Sequence, residues 1–151
     1  MVQSQALTWR HNKIVNRIKA AATPKFTVTH ENQPVRESPL RPDLVLARDE
    51  EAIIIDVACP IDKRHAALQE VRQQKIEKYE PTKQYLCRRY QRVTADVVIV
   101  GALGSWDPDY DATLRKLCSK SYLRLMKKLI ISETIACSRD IYASHITGKR
   151  L

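Results

Sequence analysis

The sequence lacks several features that would assign it to common classes of protein. Its cysteines include no CxxC pair, and no Cys/His spacing matches a zinc site. The longest apolar run is far shorter than the ~20 residues that span a bilayer, and the N-terminus has no apolar signal core. We therefore expect neither a membrane protein nor a zinc protein. Four cysteines lie in apolar or helical runs, which predicts reduced, partly buried thiols and a reducing compartment: Cys59, Cys87, Cys118 and Cys137.

What the sequence has in excess is positive charge. Its 151 residues include 26 Lys and Arg against 17 Asp and Glu, which gives a net charge of +9. This balance is typical of nucleic-acid-binding domains, although an anionic membrane surface or an acidic protein would attract the same charge. The length fits one domain, residues 1–151, that can bury a core without disulfides.

Hydrophobic periodicity predicts an α/β fold with a mixed central sheet flanked by helices. The core is expected to cover residues 6–104 and a C-terminal helical part residues 109–147. The predicted elements, in chain order, are a helix at 6–22, strands at 25–30, 42–47 and 51–59, a helix at 61–80, a short helix to about 92, a strand at 95–100 and the C-terminal helical part.

Two helices show an apolar face by their spacing. The first helix repeats apolar residues at steps of three and four: Leu7, His11, Ile14, Ile18 and Ala21. The C-terminal helical part is predicted to bury a second set: Leu114, Cys118, Tyr122, Leu125 and Leu129. Gly148 is expected to end this part.

One acidic residue, Asp56, interrupts the most apolar run of the chain. An ionised carboxylate in such a strand is costly unless it is paired. Asp43 opens the preceding strand, and a tight turn around Asp49 joins the two strands, so both carboxylates are expected near the same end of neighbouring strands. A divalent cation would relieve their repulsion. Hard oxygen ligands at a site open to phosphate suit Mg²⁺ or Mn²⁺.

A lysine, Lys75, occupies the apolar seam of the helix that follows, between Val71 and Tyr79. The helix covers about 20 Å between its expected N-cap, Asp62, and Lys75. The strand covers about 15 Å between Asp56 and the turn at its end. A helix folded along its strand therefore brings Lys75 near Asp56. A lysine there can help activate the attacking water or stabilise charge on phosphate. The alternative is a structural ion pair.

Three motifs together resemble those of a known family: RPD at 41–43, IIIDVACP at 53–60 and KIEKY at 75–79. They are similar to the PD-(D/E)xK nuclease superfamily. More closely, they resemble the restriction-like endonuclease domain of site-specific non-LTR retrotransposon reverse transcriptases, and the segment GALGSWDPDYDATL is like the region that follows the nuclease strands there. The resemblance covers roughly residues 7–146. It implies a restriction-endonuclease-like core of the order αβββαβ with C-terminal helices.

The resemblance implies a metal site. Asp43 and Asp56 match the two acids of the family, and the backbone carbonyl of Val57 is the third expected ligand. Many superfamily members place a further acid on the first helix, where this chain has His11. That histidine is either a half-buried, hydrogen-bonded side chain or a group that touches metal or phosphate.

The resemblance also implies a catalytic lysine. In the wider superfamily this lysine follows the second acid by two residues, at the position of Ala58 here. In the retrotransposon branch it lies on the next helix in a K-x-x-x-Y pattern. Lys75 and Tyr79 fit that pattern, and Lys78 is a rival for the role.

A basic surface is expected to contact DNA phosphates. Tyr85 and Tyr90 are interleaved with its second half, although any one of these charges can also be a plain solvated side chain. The expected DNA-binding residues are Arg41, Lys63, Arg64, Lys83, Arg88, Arg89 and Arg92.

These expectations combine into a metal-dependent endonuclease that nicks double-stranded DNA. In the retrotransposon setting the nick primes reverse transcription, the partners are the remainder of the polyprotein and its RNA, and the location is nuclear; otherwise it is intracellular. The chain is then an excised domain or a reduced standalone copy. The alternatives are a junction-resolving or repair nuclease of the same fold, a catalytically idle DNA-binding module, and a basic protein-interaction domain.

Overall fold

The computed structural model describes residues 3–61 and 65–148 of the chain. The predicted α/β class with a mixed sheet between helices is confirmed. Asp62, Lys63 and Arg64, assigned above to a helix cap and to DNA binding, lie outside the described residues. The elements are α1 (Gln3–Ala22), β1 (Thr27–Glu31), β2 (Leu44–Arg48), β3 (Glu51–Ala58), α2 (His65–Lys78), α3 (Glu80–Leu86), β4 (Arg92–Ile99), a 3-10 turn (Pro108–Tyr110), α4 (Asp111–Leu117) and α5 (Lys120–Thr147).

The sheet has four strands in the order β1-β2-β3-β4. Strand β2 is antiparallel to both of its neighbours, β1 and β3, and β4 runs parallel to β3, with α2 and α3 in the connection. Arg48 pairs with Glu51, so β2 and β3 are joined by the short predicted turn. Asp49 in that turn has a φ of 51°, a left-handed conformation that aspartate tolerates better than most residues.

Strand β3 is covered on both faces, as its apolar run indicated. Because successive side chains of a strand point to opposite faces, Ile53 and Ile55 enter a larger core while Ile54 enters a smaller one. Helices α1, α4 and α5 supply most of the helical side of the larger core. The smaller core takes Tyr79 and Leu86 from the α2–α3 region.

The helix predicted at 61–80 and the short helix after it differ in their limits. Helix α2 ends at Lys78, and Pro81 lies in the first turn of α3, where a proline is tolerated because that amide needs no helical acceptor. Helix α3 ends at Leu86 rather than near residue 92, and β4 begins at Arg92. Strand β4 begins earlier than predicted because it pairs with β3 from Glu51 to Ala58.

The apolar face predicted for the C-terminal helices is wrong beyond Cys118. Cys118 adopts an extended backbone and Ser119 caps a new helix, so the register shifts by one residue. Tyr122 and Leu125 are consequently 41% and 52% exposed. The side chains buried instead are Leu123, Met126 and Ile130.

The buried face of helix α1 differs from the prediction near the N-terminal end of the helix. Leu7 is 41% exposed, whereas Arg10 is buried, because the buried stripe continues from Ile18 and Ile14 at steps of four. At the other end of the chain, Gly148 caps α5 in the left-handed conformation, as expected. No helix within 3–61 or 65–148 is both long and apolar enough to cross a membrane.

Candidate active site

Two carboxylates meet at one edge of the sheet. Leu44 of β2 pairs with Ile55 of β3, so Asp43 and Asp56, the next residue of each strand, lie side by side. Both side chains are largely buried, with 12% and 9% exposed. The predicted juxtaposition of these acids is therefore present, and it follows from the short turn that sets the register of the hairpin.

Asp43 is held by two donors. Its Oδ2 accepts a hydrogen bond from the Val57 backbone amide at 2.7 Å and lies 3.1 Å from His11 Nε2. Burial alone would raise the pKa of Asp43, but the hydrogen bonds of His11 and Asp56 and the charge of His11 together lower it below the usual value. Asp43 is therefore ionised at neutral pH.

His11 is the cationic partner of Asp43. Its hydrogen bond to Asp43 raises the pKa of the imidazole to about 9, although burial opposes this. Its other ring nitrogen lies 3.1 Å from the side-chain oxygen of Asn12. Because both nitrogens face acceptors, the ring is doubly protonated at neutral pH and pairs with Asp43 as an imidazolium.

The pKa of Asp56 is shifted in the opposite direction from that of Asp43. Burial, followed by the neighbouring Asp43, raises its pKa to about 6, and the charge of Lys75 opposes the shift. Lys75 Nζ lies 3.3 Å from Asp56 Oδ2, and the lysine side chain is 34% exposed. The predicted approach of Lys75 to Asp56 is thus present, and the lysine remains reachable from solvent.

The two other candidate residues on this segment, Tyr79 and Lys78, are oriented differently from Lys75. Tyr79 is 2% exposed, and its hydroxyl donates to the Arg41 carbonyl at 3.4 Å. Burial and the charges of Asp56 and Asp43 raise the pKa of this phenol well above its usual value. The exposed Lys78 places its ammonium 5.4 Å from the Tyr79 ring centroid. Lys75 is therefore the lysine that contacts the carboxylates.

The oxygen atoms of Asp43, Asp56 and the Val57 carbonyl are suited to a hard divalent cation, although they are few. Among the described residues, no group of three or more His, Cys, Asp or Glu side chains is arranged to hold a metal. The Val57 amide points to Asp43, and since the amide and carbonyl of one strand residue face the same edge, the Val57 carbonyl faces that side too. The neighbouring Asp43 raises the cost of ionising Asp56, and a cation between the two carboxylates would remove that cost.

Among the described residues, the expected DNA-binding side chains are spread over more than one region. Arg41 is exposed directly beside the acids, whereas Arg92 pairs with Glu51 at the far end of β3, about 16 Å along the strand from Asp56. Arg92 also lies 3.7 Å from the Glu51 carboxylate, which Lys116 approaches at 3.4 Å as well. Arg88 and Arg89 precede β4 at that far end, and Lys83 is on α3 between the two regions.

Sequence reasoning missed Arg10, which supports the end of β3. The buried guanidinium donates to the Cys59 carbonyl at 3.2 Å and to the Ser138 hydroxyl at 2.9 Å. A signal was available, since Arg10 precedes Ile14 and Ile18 at steps of four. A cation at a buried helical position indicates a bound partner.

Comparison with models of known protein families gives no match, and comparison with curated proteins gives none either. The chemistry of the site must therefore be argued from its own residues. Those residues offer two adjacent, largely buried acids, one partly exposed ammonium and, two residues before Asp43, an exposed arginine.

Proposed function

We propose that this chain is a metal-dependent DNA endonuclease that nicks its target by phosphodiester hydrolysis. The observation that carries the proposal is the pairing of Asp43 with Asp56 on adjacent strands, with Lys75 Nζ 3.3 Å from Asp56. Two acids and one partly exposed ammonium at a sheet edge form a site for charged oxygens. The net charge of +9 favours a polyanionic substrate.

The two carboxylates and the Val57 carbonyl would hold Mg²⁺ or Mn²⁺. When bound, the cation would supply Lewis-acid stabilisation of negative charge on the phosphate. Asp43 is kept ionised for this role by His11 and is oriented by the Val57 amide. His11 thus acts as a positioning residue rather than as a ligand.

The remaining residues act on water and substrate. Lys75 can orient the attacking water or stabilise charge that develops on the phosphate, because its ammonium is both anchored by Asp56 and reachable from outside. Tyr79 fixes the backbone before Asp43 through the Arg41 carbonyl. The exposed Arg41 side chain is suited to a DNA phosphate next to the scissile one.

In finer terms, we propose that the chain cleaves targets for a non-LTR retrotransposon polyprotein. Water attacks phosphorus, the bond to the 3′ oxygen breaks, and the freed 3′-hydroxyl primes reverse transcription of the associated RNA in the nucleus. The support is the combined pattern of Asp43, Asp56, Lys75 and Tyr79, with Ala58 at the position of the ordinary superfamily lysine.

The test is nicking of supercoiled plasmid with Mg²⁺, with Mn²⁺ and with EDTA. We expect relaxed circles with either metal, none with EDTA and none with Asp56→Ala. Asp140→Ala removes an exposed acid of α5 that pairs only with its neighbour Arg139 among the described ion pairs, and it should nick at the wild-type rate. Nicking by Asp56→Ala at that rate, or nicking in EDTA, would contradict the proposal.

A further inference from the structure

A cleft of basic and aromatic side chains lies between the β1–β2 loop and α3. Its central ring is Tyr85, with the guanidinium carbons of Arg36 and Arg88 at 5.2 and 5.9 Å from the ring centroid. Arg89 lies 5.7 Å from the Tyr90 ring centroid at the same cleft. The cleft is separate from the carboxylate pair and was only partly visible in the sequence.

The loop side of the cleft is fixed. Val35 is 2% exposed in the smaller core, and the next residue, Arg36, has a φ of 56°. A non-glycine residue adopts this left-handed conformation at an energetic cost, so the buried Val35 anchor and the ring of Tyr85 hold Arg36 against that cost. The arginine is therefore presented to the cleft by a defined backbone rather than by a loose tail.

The arginines of the cleft form no ion pair with an acid of the described residues, although Glu37 lines the adjoining pocket with Arg36 and Arg88. Within residues 3–61 and 65–148, no ion pair involves Arg36, Arg88 or Arg89, whereas the nearby Arg92 pairs with Glu51. Guanidinium groups bind phosphate through several donors, and they also stack on flat rings. Three free guanidiniums beside two tyrosines offer both kinds of contact at one place.

From these features we propose that the cleft binds a single-stranded segment of nucleic acid. Phosphates contact the guanidiniums, and unpaired bases stack on the tyrosine rings or on the guanidinium planes. An acidic protein would use the charges but not the rings, and duplex DNA keeps its bases stacked inside. The proposal requires no part of the endonuclease chemistry.

The position of the cleft suits a strand that leaves the carboxylate site. Tyr79, which contacts the loop before Asp43, and Tyr85 are separated by about 9 Å along α3. Both rings belong to the smaller core, on the sheet face toward which Asp56 points by alternation with Ile54. A strand parted from its complement can therefore occupy the cleft while the duplex remains at the acids.

The test measures binding of labelled single-stranded DNA, single-stranded RNA and duplex DNA by fluorescence anisotropy in EDTA, where no cleavage occurs. We expect Tyr85→Ala to weaken single-strand binding about 5- to 150-fold, the range for one stacked base, and to leave duplex binding unchanged. Tyr85→Phe keeps the ring and should bind as the wild type does. Tyr142→Ala removes an exposed tyrosine of α5 and serves as the control.

The charges are tested separately by salt titration. Arg36→Gln and Arg88→Gln should each reduce the salt slope of single-strand binding by about 0.7, and Arg124→Gln on α5 should not. These exposed substitutions remain informative if Tyr85→Ala fails to fold. Asp56→Asn should bind single strands normally, which separates this proposal from the endonuclease.

Each result has one meaning. Dependence on Tyr85 with DNA, with RNA or with both supports the cleft and identifies the source of the strand. No dependence with either would overturn the proposal, as would an equal loss of duplex binding. Competition by polyglutamate as effective per charge as by the oligonucleotide would overturn it in favour of an acidic protein partner.

Discussion

Lys75 of α2 and Asp56 of β3 are 19 positions apart in the chain, and their charged atoms lie 3.3 Å apart. The helix folds back along its strand and places one ammonium over one carboxylate. Lys78, one turn further, faces the Tyr79 ring instead. This difference in orientation is the basis for the different roles that we propose for the two lysines.

We expect Lys75→Ala to retain DNA binding but to lose about 10²–10⁴-fold in the cleavage rate, because the ammonium that orients water or stabilises phosphate charge is removed. Lys78→Ala should cleave bound DNA at close to the wild-type rate. Single-turnover cleavage of a bound duplex measures both. Loss of the chemical step in Lys78→Ala alone would reverse the assignment.

Replacing each of the two acids by asparagine should have opposite effects on the free energy of unfolding in metal-free buffer. The pKa of Asp56 is raised to about 6 in the folded protein, so its favourable contribution is complete below the ordinary carboxyl pKa and is lost as pH rises through 6. We therefore expect Asp56→Asn to stabilise the protein at about pH 8 and to have little effect at about pH 4. Urea unfolding at the two pH values measures the difference.

Asp43→Asn should instead destabilise the protein at neutral pH. The pKa of Asp43 is lowered, so its contribution is present above the ordinary carboxyl pKa and is lost as pH falls through the lowered value. The substitution also removes the charge that pairs with His11. Equal stabilisation by Asp43→Asn and Asp56→Asn would contradict the asymmetry.

The positions of the site residues explain why some could be predicted from sequence. The pairing of Asp43 with Asp56 depends on a short hairpin, and the direction of Lys75 depends on helical spacing, both of which are local. Arg10 meets Cys59 and Ser138, which are 49 and 128 residues away, and no local pattern reports such partners.

A break in helical periodicity and long-range packing decided two parts of the fold that the sequence did not predict. The apolar face of α5 shifted because Cys118 takes an extended backbone, which a periodic pattern across it does not show. Likewise, Asp96 of β4 is buried because Arg72 and Thr113, from two different helices, satisfy its oxygens. Such a position is apparent only when three elements are assembled.

An ion pair between α1 and α5 gives a third pH-dependent prediction. Two guanidinium nitrogens of Arg17, Nε and Nη2, donate to the Glu133 carboxylate at 3.1 and 2.6 Å, and this hydrogen bonding lowers the pKa of Glu133. The stabilisation is present above the ordinary glutamate pKa and is lost as pH falls through the lowered value. Glu133→Gln should lower the melting temperature more at neutral pH than at about pH 3. Glu31→Gln breaks an exposed pair with Lys19 and should change little at either pH.

Duplex DNA binding should depend on arginines according to their place in the fold. Arg41 is exposed beside the acids, so Arg41→Gln should reduce the salt slope of duplex binding by about 0.9, the value for one lost phosphate contact. Arg92→Gln should leave the slope unchanged, because Arg92 lies at the far end of the sheet, about 16 Å along β3 from Asp56. Equal slopes for the two variants would show that the duplex does not pass over Arg41.

The central claim is that Asp43 and Asp56 act as one divalent-cation site. The most direct measurement is Mn²⁺ binding followed by electron paramagnetic resonance in the presence of duplex DNA. Wild type and Lys75→Ala should bind the ion, because both retain the two carboxylates, whereas Asp43→Asn and Asp56→Asn should lose it. Absence of Mn²⁺ binding by the wild type, or undiminished binding by both asparagine variants, would contradict the account.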